Sequence, residues 1–252
     1  RALKTAGAKT AAVNKAHDFP ATTGIIPDFG ILGDPKPIVR DYQTPIFGTR
    51  YFLALQLDAS VFDRFEGHAN ATKLANGESD VFLWHSLHTH DEGGEIMDLA
   101  EKHGRPVVSV LGGTTTTLRA DEILAYLGFR TIHLFGCDSS GRDGVLHPYP
   151  KQLMQPIEIE TWLEDPTNLR EFKRTYPTNE AMAHQAIQWE MFLRKRAVSA
   201  AAGEYPLINH VVHGSGLFPD WAALRGLHAD PERATALRAE GYREPVFSGV
   251  RL

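Results

Sequence analysis

Residues 105–140, which read RPVVSVLGGTTTTLRADEILAYLGFRTIHLFGCDSS, restrict the possible folds more than any other stretch of the chain. An apolar, β-branched run ends at Gly112-Gly113, where the backbone can take conformations closed to other residues. A Thr run that can cap a helix follows, then apolar side chains at helical spacing, and Gly128 ends the predicted helix. A second apolar run at residues 131–135 completes a predicted β-α-β unit with two neighbouring parallel strands.

This unit also predicts where a ligand binds. The first strand leads into residues 112–117, and the second leads into residues 138–140. Ligands of open α/β sheets bind outside the carboxyl ends of the strands. We therefore expect these two segments to meet in one cleft.

Further short apolar runs alternate with helical segments and glycine-rich turns along the chain. This rhythm favours an α/β fold, a Rossmann-like three-layer sandwich with a mainly parallel sheet. We predict a nucleotide- or phosphate-binding core at residues 1–150, whose first strand lies upstream of residue 1. Residues 151–252 are predicted to form a C-terminal extension, helical with one returning strand, that covers the site. Within it, residues 154–177 are rich in charge and proline and are interpreted as irregular.

Composition excludes several classes of protein. The net charge of -5 gives no reason to expect nucleic acid or a membrane surface as a partner. The single cysteine, Cys137, forbids an internal disulfide, which agrees with a reducing cytoplasm. No apolar run approaches the roughly 20 residues that span a bilayer. We expect a cytoplasmic chain that binds a small molecule and forms, at most, a homo-oligomer.

Several loop motifs follow the predicted strands in a recognisable order. They are Asn14, Pro27-Asp28-Phe29 leading to Asp34, Gly112-Gly113-Thr114, Leu127-Gly128-Phe129, Gly136-Cys137-Asp138, His147 and the strand at Asn209. The chain resembles the 6-hydroxymethylpterin diphosphokinase MptE-like family, which also looks like bacterial sialyltransferases and motility accessory factors. The resemblance implies a transferase: Mg²⁺-dependent pyrophosphoryl transfer from ATP to a small hydroxylated acceptor such as a pterin alcohol, or glycosyl transfer from a nucleotide sugar.

The glycine and threonine residues after the first strand of the β-α-β unit form a candidate phosphate site. Gly112, Gly113, Thr114 and Thr115 offer backbone N–H groups and hydroxyls at a helix N-terminus, which attracts anions. No Lys follows the glycines, so the segment is not a Walker sequence. The alternative is that the glycines only make a tight turn.

Two carboxylates follow strands and are candidates for catalysis. Asp34 and Asp138 can hold a Mg²⁺ ion that bridges nucleotide phosphates, because hard cations prefer oxygen ligands. Either one can instead cap its own loop. His147 is a candidate general base or phosphate ligand. The remaining candidate ligand-binding residues are Asn14, Ser139, Ser140 and Asn209.

A histidine cluster supports a different hypothesis. His85, His88, His90 and Asp91 directly follow a predicted strand at residues 81–84, and such a set can ligate a transition metal such as Zn²⁺. A metal-dependent hydrolase is therefore one alternative, and a solvated histidine-rich loop is another. A non-catalytic nucleotide or sugar-phosphate binding module is the third.

Overall fold

The computed structural model describes residues 2–71, 80–87, 98, 101–102, 104, 108–113, 115–141, 157–165 and 170–224. It has an α/β fold and divides into two compact units, residues 1–124 and 125–252, which are described separately. No helix within the described ranges combines the length and the apolar character that crossing a bilayer requires.

The first unit contains a five-stranded sheet in which every pairing is parallel. Its strands lie in chain order and are β1 (Ala11–Val13), β2 (Phe29–Leu32), β3 (Arg50–Ala54), β4 (Val81–Leu87) and β5 (Ser109–Leu111). The predicted α/β class with a mainly parallel sheet is confirmed. Because the strand order never reverses, this sheet has no internal switch point, and its site must be identified from its side chains.

The helices of this unit begin where the sequence offers caps. They are α1 (Ala2–Thr5), α2 (Asp18–Thr22), α3 (Ala59–Ala71) and α4 (Thr116–Tyr126), with 3₁₀ helices at Asn14–Ala16 and Pro37–Tyr42. Asp58 caps α3 by accepting a hydrogen bond from the Ser60 amide at 3.0 Å. Gly128, at φ +96°, follows the end of α4, as predicted.

Buried apolar side chains fill the core of this unit. Alternate residues of each strand face opposite sides of the sheet. Tyr51 of β3 meets Phe65 of α3 edge to face, with ring centroids 4.7 Å apart. The same core includes Trp84, Val110 and, from α4, Ala120 and Ile123.

The second unit contains two separate strand pairs. β6 (Thr131–Leu134) pairs in parallel with β9 (Asn209–Val212), and β7 (Ile157–Asp165) pairs antiparallel with β8 (Arg170–Thr178). Its described residues also form the helices α5 (Glu180–Ala201) and α6 (Leu217–Leu224). The Asn179 side chain caps α5 by accepting from the Met182 amide at 2.9 Å.

Two expectations about this unit were wrong. The segment interpreted as irregular contains the β7–β8 hairpin; apolar and polar residues alternate over the first four residues of β7, IEIE. The strands on either side of α4 are also not hydrogen-bonded neighbours: β5 pairs with β4, and β6 pairs with β9.

Contacts divide the chain at residues 124 and 125, before the predicted boundary at residue 150, because β6 takes its partner from later in the sequence.

Candidate functional site

The side chain of Asn14 joins three segments at the carboxyl edge of the five-stranded sheet. Its Oδ1 accepts from the amide of Gly33 at 2.9 Å and from that of Asp34 at 3.4 Å. Its Nδ2 donates to Oγ1 of Thr116 at 2.8 Å. Asn14 follows β1, Gly33 and Asp34 follow β2, and Thr116 begins α4. We call these four residues the Asn14 clamp; the clamp brings the predicted residues Asn14 and Asp34 together with the start of α4.

Asn14 and Gly33 suit the geometry of the clamp for different reasons. Asn14 has φ +44°, in the left-handed region that Asn tolerates better than most residues. A β-carbon at Gly33 would lie 3.0 Å from Cγ2 of Thr116 and 3.1 Å from Cζ2 of Trp84. A side chain at this position would require Thr116 or Trp84 to shift by a few tenths of an ångström, so glycine favours the close approach of the β2 loop to α4.

Gly112 is explained by packing as well. A β-carbon there would lie 2.6 Å from Cγ of Arg119, a residue of α4 that is 7 % exposed. Burial lowers the pKa of the Arg119 guanidinium. Gly112 therefore allows the end of β5 to approach α4 closely, as in the alternative that the glycines only make a tight turn. This close packing does not prevent the Gly112 amide from binding a ligand.

Two lysines lie beside the clamp. Partial burial lowers the pKa of Lys15, the Asp34 carboxylate opposes this shift, and the Lys36 ammonium adds to it. Oδ1 of Asp34 accepts from the Lys36 amide at 3.2 Å. Asp34 therefore caps its own loop, which was the alternative to a role in binding Mg²⁺. Two ammonium groups and one carboxylate next to a helix N-terminus leave an excess of positive charge.

These residues do not fit a resident Mg²⁺ ion. Oδ1 of Asn14 already accepts two amides, and Asp34 interacts with the Lys15 ammonium and accepts from the Lys36 amide. A hard cation needs several free oxygen ligands, whereas this edge presents mainly cations and N–H groups. In the parts of the chain that the structure describes, no three His, Cys, Asp or Glu residues are grouped closely enough to hold a metal.

The second unit has its own carboxyl edge, where the loops after β6 and β9 interlock. The main-chain oxygen of Asp138 accepts from the Phe218 amide at 3.0 Å, and Oγ of Ser140 accepts from the Leu217 amide at 3.2 Å. A β-carbon at Gly214 would lie 2.8 Å from Oδ1 of Asp138. Ser139 is buried, and its Oγ donates to Gln185 at 3.3 Å. Asp138, Ser139 and Ser140 therefore lie together, and the two serines hold this loop in place.

Asn209 does not join that group. It is the first residue of β9, pairs with Thr131, and its amide donates to the Arg130 carbonyl at 2.8 Å. Because β6 and β9 are parallel, their first residues lie at the end opposite Asp138. The structure therefore does not bring Asn209 together with Asp138, and a role of Asn209 in ligand binding stays a prediction.

His85 also differs from its prediction. β4 extends to Leu87 because it pairs with β5, so His85 lies within the strand and its amide donates to the Val108 carbonyl at 2.8 Å. The other members of the predicted histidine cluster, His88, His90 and Asp91, lie outside the described residues. The same is true of two further predicted site residues, Thr114 and His147.

Comparison with protein-family models, with curated proteins and with solved structures gave no match. The resemblance to the MptE-like family therefore stays a prediction that rests on its motifs.

Sequence reasoning missed a buried hydrogen-bond chain in the first unit. Oδ1 of Asp18 lies 2.7 Å from Nδ1 of His17, and Nε2 of His17 lies 2.9 Å from the Tyr51 hydroxyl. The same hydroxyl accepts from the Ile46 amide at 2.7 Å. Both His17 and Tyr51 are fully buried, so this chain anchors the segment before β3 and does not face a ligand.

A pair of imidazoles was missed in the second unit. Nδ1 of His133 lies 2.8 Å from Nε2 of His213, and the ring of Phe135 stacks on His213 with centroids 4.2 Å apart. Burial lowers the pKa of His133, and the charge of His213 lowers it further.

This pair predicts a pH dependence of stability. The folded pKa of His133 is below its unfolded value of about 6.5, so the unfolded chain binds the proton more tightly. We expect the free energy of unfolding to fall as the pH drops through that value, and His133→Gln to make the decrease shallower. Urea unfolding at about pH 7.5 and 5.5 measures both slopes. In His133→Gln, some pH dependence of the free energy of unfolding should remain because burial also lowers the pKa of His68. An equal pH dependence in the wild type and in His133→Gln would contradict the role assigned to His133.

Proposed function

We propose that this chain is a transferase that binds the phosphates of a nucleotide, or of a nucleotide-activated donor, at the Asn14 clamp. The observation that carries the proposal is the Asn14 side chain, which holds the start of α4 against the β2 loop. Lys15 and Lys36 lie beside this junction. Pyrophosphoryl transfer to a small hydroxylated acceptor ranks above glycosyl transfer, on the basis of the family resemblance.

The charge distribution supports an anionic ligand. The first amides of a helix lack intrahelical partners, and the helix dipole adds partial positive charge there. Lys15 and Lys36 add two cations that can neutralise charge on a transferring phosphoryl group. Catalysis would then rest on holding donor and acceptor in position and on neutralising charge, with little covalent chemistry by the protein.

The other predicted residues take roles in the same proposal. Asp34 would orient Lys15 toward the donor, since its carboxylate acts on the Lys15 ammonium. The sequence predictions that Asp138 binds a hydroxyl of the acceptor and that His147 transfers a proton stay predictions. Mg²⁺ would arrive only as the counterion of the nucleotide, because the clamp residues do not fit a resident cation.

A matched pair of lysine variants tests the site. We expect Lys15→Ala to weaken nucleotide binding on the order of tenfold, because a hydrogen bond to a charged group is worth about 1.5–3 kcal/mol. Lys9→Ala is the control: Lys9 lies before β1 and pairs with Asp28 at 3.0 Å, at the amino edge of the sheet. Thermal shifts with ATP, GTP, CMP, CDP and UDP-sugars, with and without Mg²⁺, provide the measurement.

The outcomes separate the hypotheses. A ligand at about 100 times its Kd stabilises the folded state by about 2.7 kcal/mol, so binding by the wild-type protein is readily seen. No stabilisation by any of these nucleotides, or equal loss in both lysine variants, would contradict the proposal. If a nucleotide stabilises the protein but is not turned over, the result favours a non-catalytic binding module. Stoichiometric Zn, Mn or Fe in untagged protein would favour the metal-dependent hydrolase.

A further inference from the structure

Trp84 places a buried indole next to the Asn14 clamp. It lies on β4 opposite Ala54 of β3, and the side chain of Ala54 is small enough for the indole to extend over it toward β2. Cζ2 of the indole would lie 3.1 Å from a β-carbon on Gly33, at a point that Thr116 also approaches. The far edge of the ring therefore reaches the junction between the β2 loop and α4.

The N–H group of this indole has no acceptor among the described residues. Trp84 is 1 % exposed, and its Nε1 is buried without a hydrogen-bond partner. In an indole, Nε1 and Cζ2 are attached to the same ring carbon, so the N–H lies on the same side of the ring as the atom that approaches Gly33. Buried polar groups are almost always paired, and each exception calls for an explanation such as a ligand.

The polar groups at this junction are almost entirely donors. An indole N–H can only donate, and so can an ammonium such as that of Lys15. Oδ1 of Asn14 is already occupied by main-chain amides, so the groups that Asn14 and Thr116 can offer a ligand are its Nδ2 amide and the Thr116 hydroxyl. A set rich in donors selects a ligand made of acceptors, and the two lysines, whose charge the Asp34 carboxylate offsets only in part, select a negatively charged one.

We propose that a phosphate oxygen of the ligand accepts the Trp84 N–H and displaces the hydrogen bond between Asn14 and Thr116, so that all three side chains donate to one oxyanion. This inference rests on the proposed function and names the part of the ligand that the site recognises. Because Nε1 is enclosed, the oxygen reaches it only when Thr116 moves away from Asn14. The 2.8 Å bond between these two residues therefore holds the ligand-free site closed.

Inorganic pyrophosphate is the probe, because it has the phosphate oxygens and no base. Isothermal titration of pyrophosphate into Trp84→Phe is expected to show an affinity about tenfold lower than in the wild type, since Phe keeps most of the ring and loses only the donor. The matched control is Trp189→Phe. Trp189 is equally buried, its Nε1 also lacks an acceptor among the described residues, and it packs on Phe218 in the second unit.

Tryptophan fluorescence gives a second readout that a purely structural role would not change. Pyrophosphate is expected to alter the emission of the wild type and of Trp189→Phe, and to leave that of Trp84→Phe unchanged. If Trp84→Phe does not fold, Thr116→Val, which keeps the shape and removes a hydroxyl donor, is expected to lower the affinity in the same way.

Three results are distinguishable. Weaker binding in Trp84→Phe with normal binding in Trp189→Phe supports the inference. Equal affinities in the wild type and Trp84→Phe overturn it and leave the proposed phosphate site intact. A wild-type protein that binds neither pyrophosphate nor any of the nucleotides overturns both the inference and the proposed function.

Discussion

Asn14→Ala is expected to lower the free energy of unfolding by about 2–3 kcal/mol and to remove most of the affinity for phosphate ligands. The substitution removes the acceptor for the Gly33 amide and the donor to Thr116, each worth about 1 kcal/mol. It also places a β-carbon without a compensating side chain at φ +44°, which adds about 1 kcal/mol of strain. Urea unfolding and titration with pyrophosphate measure the two effects.

Asn14→Gly separates the two causes. Glycine adopts positive φ without strain but lacks the amide group, so this variant should recover about 1 kcal/mol relative to Asn14→Ala. Its phosphate affinity should stay as low as that of Asn14→Ala, because both have lost the clamp. Wild-type affinity in either variant would show that the clamp is structural only.

Tyr51→Phe is expected to destabilise the first unit by about 2–4 kcal/mol. The Tyr51 hydroxyl accepts from the Ile46 amide, so its proton goes to Nε2 of His17, and Nδ1 of His17 donates to Asp18. Burial raises the pKa of Tyr51 to about 12, which keeps the phenol protonated and able to donate. Phenylalanine would leave the partly buried Ile46 amide and the buried Nε2 of His17 unpaired, at about 1–3 kcal/mol each.

Tyr126→Phe is the matched control, since the Tyr126 side chain is 60 % exposed and water can replace its contacts. It should change stability by less than about 0.5 kcal/mol. Hydrogen exchange gives an independent test: the Ile46 amide should exchange faster in Tyr51→Phe and at the wild-type rate in the control. Unchanged exchange at Ile46 would contradict the assigned direction of the hydrogen bonds.

Local signals in the sequence predicted most of the elements. Helix α4 and its end at Gly128 follow from apolar periodicity and glycine placement. The β7–β8 hairpin was missed because charge and proline were weighted above the alternation in β7. The partner of β6 was missed because a strand's neighbour is set by contacts far along the chain, which no local pattern encodes.

The candidate site shows the same limit at the level of side chains. The rule that ligands bind at strand ends singles out both Asn14 and Asp34, but the sequence analysis paired Asp34 with Asp138 and did not predict that Asn14 would bind the loop after β2. Trp84 could not be found in this way, because its indole crosses a neighbouring strand to reach Gly33. Lys15 had a signal that was overlooked, since it directly follows Asn14 at the end of β1.

The chain-order arrangement of β1 to β5 has a consequence for biosynthesis. Each strand after β1, as it leaves the ribosome, finds a hydrogen-bonding partner already made, so the first sheet can grow during translation. β6 emerges next but must wait until the hairpin, α5 and β9 have followed. During that interval its unpaired edge is open to pairing with other nascent chains, and a chaperone that shields it would act at this stage.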